Sequence, residues 1–80
     1  MGKYAPLRGF LGRQSRREPL VLTFFEIEDI VGASLPPSAY RHRSWWANTQ
    51  HHVQAGAWMS ARWQVTVVSL TEQRARFEPF

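Results

Sequence analysis

No cysteine occurs among the 80 residues, so neither a disulfide nor a thiolate metal site holds this chain together. No apolar run approaches the ~20 residues that a membrane-crossing helix needs. The N-terminus also lacks the apolar stretch of a secretory signal. Acid is scarce and unevenly placed: Asp29 is the only aspartate, and no Asp or Glu lies between Ile30 and Thr71. Paired-carboxylate catalysis is therefore excluded within that stretch, and Ser38 or Ser44 beside His42 has no acid to orient the imidazole. No glycine-rich loop is present to cradle a phosphate. His42, His51 and His52 follow no usual ligand spacing, so no metal is expected. These absences describe a cytoplasmic protein without cofactor, membrane partner or chemistry of its own; missing cysteine fits a reducing compartment.

Base and aromatic rings are abundant. The net charge is +4 with a pI near 10.7, and 14% of residues are aromatic. The cations are segregated: Lys3, Arg8, Arg13, Arg16 and Arg17 precede the first acid, and Arg41, Arg43 and Arg62 fall inside the acid-free stretch. A field of this kind attracts polyanions, nucleic acid above all. Eighty residues make one domain, spanning 1–80. With no disulfide to staple it, its core must be built from bulky rings.

Periodicity divides the chain into short elements. Tyr4, Leu7, Phe10 and Leu11 mark one face of a helix over 4–12. "PLVLTF", 19–24, is β-forming. Thr23 followed by Glu26 is a capping box, which starts a helix over 24–31 with Phe24, Ile27, Ile30 and Val31 inward, Glu28 and Asp29 toward water, and Gly32 as its stop. Prolines 36 and 37 suit the first turn of a helix running to about Trp45. A further helix covers "HHVQAGAWMSARW". "WQVTVVSL", 63–70, and "ARFEPF" form a hairpin about "TEQR", with Trp63, Val65, Val67 and Ser69 on one face of the first strand. A lone hairpin is marginal, so the 19–24 strand is expected to complete a three-stranded antiparallel sheet. The fold class is α+β: three to four short helices on that sheet, in the element order of a winged helix with one helix added before the wing.

The helix over 24–31, a "GASL" turn and the helix from Pro36 have the rhythm of a helix-turn-helix. Glu28 departs from the strict motif, falling where a small residue is usual. The second helix would present Ser38, Tyr40, Arg41 and Arg43 to duplex DNA, with the arginines on phosphates or guanine edges. Asn48, Gln50 and His52 would add polar contacts, and Arg16 and Arg17 would hold the backbone from the N-terminal loop. Adjacent tryptophans on a helix point about 100° apart, so Trp45 and Trp46 do not share one stripe; at least one is expected in the core. Trp58 and Trp63 are expected in the core as well. The rival reading is a protein-interaction or dimerisation module with a Trp/Arg hot spot, in which an exposed hairpin edge offers a route to a homodimer.

Across residues 3 to 78 the chain resembles a family of small bacterial domains of unknown function that share the pattern LTFxEIExIxGxxLPxSAxxxxxWWxN. The positions carrying the likeness include Leu22, Thr23, Glu26, Pro36, Ser38, Trp45, Trp46, Asn48, His52, Gln54, Trp58 and Trp63. The resemblance brings no activity with it. Where such domains usually have Gly before the strand tryptophan, this chain has Arg62.

Overall fold

Thr23 closes a strand and opens a helix. Its hydroxyl accepts from the Glu26 amide at 3.0 Å, and the Glu26 carboxylate accepts from the Thr23 amide at 2.8 Å. That is the capping box expected from the sequence, and Gly32 ends the same helix at φ 79°. A computed structural model describes residues 2–80. The chain runs α1 (Ala5–Gly12), β1 (Leu20–Thr23), α2 (Phe24–Val31), α3 (Pro37–Arg41), a 3-10 turn (Arg43–Trp46), α4 (Val53–Ser60), β2 (Trp63–Ser69) and β3 (Arg74–Pro79). The fold is α+β. No helix among the described residues is long and apolar enough to cross a membrane.

The sheet is antiparallel in the order β1-β3-β2, so the early strand joins the C-terminal hairpin as its third member. Its register breaks between Val65 and Val67, where Thr66 is the extra residue. The alternation expected along β2 therefore fails halfway. Trp63 and Val65 face the core, but past the bulge Val68 turns inward and Val67 turns outward. Period-2 reasoning assumes an unbroken ladder.

Helices cover the inner face of the sheet, with α1 against both α2 and α4. A chain of rings runs through the centre. Phe24 stacks on Trp46 at 4.7 Å and Trp46 stacks on Trp58 at 6.0 Å, while Phe77 meets Trp58 edge-on at 5.8 Å. Trp46, Trp58 and Trp63 are buried, and Trp45 is half-buried between Tyr4 and Trp46. The Trp46 indole donates to the Ala39 carbonyl at 2.9 Å. The helix expected from Pro36 to Trp45 is broken at His42, whose backbone is extended at φ −130° and ψ 120°. That break lets two adjacent tryptophans both turn inward, which a continuous helix forbids.

Glu28 does not simply face water. Its carboxylate accepts from the Leu35 amide at 2.8 Å and from the Tyr40 hydroxyl at 2.7 Å, fastening the 32–36 turn to α2 and α3. The Tyr40 hydroxyl is pushed up to about 12, by burial first and by the bonded Glu28 carboxylate second. Glu28 thus holds the turn, which accounts for its departure from a strict helix-turn-helix motif.

Candidate nucleic-acid interface

The expected site residues divide by what already occupies them. Arg16 donates to the carbonyls of Ala61 (3.2 Å), Arg62 (2.9 Å) and Phe80 (2.9 Å), and its guanidinium lies 5.8 Å from the centre of the Trp63 ring. Arg43 donates to the Val68 carbonyl at 2.6 Å. Tyr40 is held by Glu28. Asn48 is the most engaged: Nδ2 donates to the Val65 carbonyl at 2.7 Å, while Oδ1 accepts from the Val65 amide and from the Trp58 indole, each at 2.8 Å. Its carboxamide pairs with β2 as a strand peptide would. Arg43 and Asn48 together cover the outer edge of β2, a strand end that otherwise invites pairing with another chain.

The other expected residues are unoccupied. The side chains of Arg17, Ser38, Arg41, Gln50 and His52 make no hydrogen bond or ion pair to the described residues; the Nδ1 of His52 is buried without a partner. Ser38, His42, Ser44 and His52 line a hollow of about 300 Å³ floored by Trp45 and Gln54. The Gln54 amide donates to the Trp45 carbonyl at 2.8 Å, tying the first turn of α4 to the 3-10 turn.

Two more hollows flank α4. One, of about 250 Å³, lies between α4 and the start of α1 and is edged by Lys3 and Arg8. The other, of about 430 Å³, is edged by Gln50, Arg62 and Phe80. Between them α4 presents Val53, Gly56 and Ser60, with Val53 78% exposed. No Asp or Glu side chain lines any of the three hollows around α4. The acids collect elsewhere: Glu26 and Asp29 lie beside Phe25 on α2, while Glu72 and Glu78 pair with Arg74 and Arg76 on the sheet. Lys3, Arg8 and Arg62 were absent from the expected site. The acid-free N-terminal run signalled the first two, and only the pairing of α1 with α4 brings them to one surface.

A family described as "Domain of unknown function (DUF7662)" matches residues 4–79. The chain belongs to that family. No curated protein matches the chain, and no solved structure does. The resemblance to a domain of unknown function is thus membership of this family, over nearly all of the chain. Arg62 stands where the sequence resemblance led to an expectation of glycine before the strand tryptophan. It sits at φ 69°, in the left-handed region that favours glycine.

Proposed function

We propose that this DUF7662 domain binds nucleic acid, duplex DNA in the first place, through the surface around α4. It acts as a binding module, without chemistry of its own. The observation that carries the reading is the charge layout: two hollows that meet at Gly56 and Ser60 of α4 are edged by Lys3, Arg8 and Arg62, and neither they nor the hollow at Ser44 and His52 is lined by an Asp or Glu side chain. A phosphate backbone is met by Lys3 and Arg8 with no acid side chain beside them, and by Arg62, whose Nε also donates to the Phe80 oxygen at 3.4 Å. Gly56, with no side chain, and Ser60, with a short one, allow the α4 backbone to approach closely.

In this reading α4 takes the role that the sequence reading gave to the Pro36 helix. It is the helix immediately before the hairpin, as the recognition helix is in a winged helix, and the order β1-β3-β2 supports that likeness. Arg41, Gln50 and Arg17 serve as outlying contacts, while Arg16, Tyr40, Arg43 and Asn48 hold the scaffold. A transcriptional regulator is one setting for such a module.

The test is fluorescence anisotropy on mixed-sequence duplexes at low and physiological salt. Lys3→Ala with Arg8→Ala is expected to weaken binding about tenfold, as the loss of two phosphate contacts would. Absence of binding at low salt, or binding indifferent to this pair, contradicts the reading.

One observation favours a second reading, a protein-interaction module. Phe25 is 77% exposed and borders a hollow with Phe10, Leu22 and Ile30. This face carries Glu26 and Asp29 and lies apart from the buried tryptophans, so an interaction hot spot would centre on Phe25 rather than on the WW pair.

A further inference from the structure

We infer that the hollow lined by Ser38, His42, Ser44 and His52 is a phosphate subsite; the inference rests on the nucleic-acid reading and specifies which part of the polymer enters there. The chemistry of the lining points to this ligand. Two hydroxyls and two imidazoles can all donate to oxygen, and no carboxylate lines the hollow to repel an anion. The Nδ1 of His52, which lines the hollow, is enclosed without a partner among the described residues. Arg41 stands one helical turn from Ser38 on α3, exposed and unpaired among the described residues, so the helix that brings Ser38 to the hollow also carries a formal charge. The Gln54–Trp45 bond fixes the floor. The hollow opens at the start of α4, so an oxyanion held there leaves the rest of a nucleic acid over Val53 and the Lys3/Arg8 groove. The phosphate is either an internal phosphodiester or a terminal phosphate, and the two share this chemistry.

The experiment has two stages. Backbone amide resonances of the ¹⁵N-labelled domain are followed while inorganic phosphate is added, against chloride at matched ionic strength. Saturable shifts at Ser44, His52, Val53 and Gln54 with phosphate alone support the subsite. Equal shifts with chloride, or none, overturn it. Ser44→Asp places a carboxylate at the exposed rim and is expected to abolish the shifts while leaving the melting temperature unchanged. Thr71→Glu, exposed in the hairpin turn and lining none of the hollows, should leave the phosphate shifts intact.

Duplex binding is then compared among a duplex with 5′-phosphates, the same duplex with 5′-hydroxyls, and a closed dumbbell without ends. Weakening by Ser44→Asp of about tenfold on all three, the size of one charge-assisted hydrogen bond, assigns an internal phosphodiester. Weakening confined to the 5′-phosphorylated duplex assigns a terminal phosphate. If Ser44→Asp spares every duplex while Lys3→Ala with Arg8→Ala weakens them, the subsite falls and the nucleic-acid reading stands. If phosphate saturates the hollow but no duplex binds, the subsite stands and the nucleic-acid reading falls.

Discussion

Asn48 shows how one side chain can be read two ways. In sequence it is an amide among arginines and histidines, the composition of a contact surface. In the fold its carboxamide serves both the amide and carbonyl of Val65 and satisfies the indole of the fully buried Trp58. The deciding fact is the position of residue 48 beside residue 65, and no local pattern encodes it. Asn48→Ala removes these bonds and orphans an indole N–H, so a loss of about 2 kcal/mol is expected in urea unfolding. An unchanged midpoint would return Asn48 to the surface role. Arg62 makes the opposite case. The resemblance led to an expectation of glycine there, and Arg62 instead occupies a left-handed backbone at φ 69°, a conformation that favours glycine. Arg62→Gly relieves a strain of about 1 kcal/mol and loses only exposed contacts to Phe80. The variant should therefore melt no lower than the parent while binding duplex more weakly. Stability and binding moving in opposite directions would distinguish a surface cation from a structural one.

At the scale of elements, most of the fold was legible because its signals are local. The Thr23 capping box, the Gly32 stop and the hairpin all lie where short-range chemistry put them. Two long-range facts were not legible. The bulge at Thr66 reverses the alternation of β2, and the break at His42 splits one expected helix into α3 and a 3-10 turn. Both answer to the tryptophan core, which needs Trp46 inside and Val68 toward the helices. The Tyr40–Glu28 bond, which holds the turn after α2, joins residues twelve apart and has no local signature either. Tyr40→Phe is expected to cost about 1 kcal/mol by chemical denaturation. The pH dependence has a definite sign. The folded hydroxyl ionises at about 12 against an ordinary 10, so its contribution is whole below pH 10 and is lost as pH rises toward 12. Burial pushes the Tyr4 hydroxyl up as well. Tyrosinate absorbance should therefore lag behind that of free tyrosine in the native domain, and should appear early if the Tyr40–Glu28 bond is absent.

At the scale of the whole molecule, charge segregation is the feature visible in the sequence on which the proposed function rests. The stretch from Ile30 to Thr71 lacks acid, and so does the chain before Glu18. Folding lays the two beside each other by packing α1 on α4, which gives an acid-free surface on one side and leaves Glu26 and Asp29 on another. Of the four arginines singled out from sequence, Arg16 holds the end of the chain and Arg43 the edge of β2, while the side chains of Arg17 and Arg41 bond to none of the described residues. The measurement that tests the central claim most directly is the salt dependence of duplex affinity. With Lys3, Arg8, Arg41 and Arg62 each meeting a phosphate, log K should fall against log salt with a slope of about −3 to −4, and by about one unit less for each cation removed. A slope near zero, or a steep slope unmoved by removing Lys3 and Arg8, would contradict nucleic-acid binding through the face around α4.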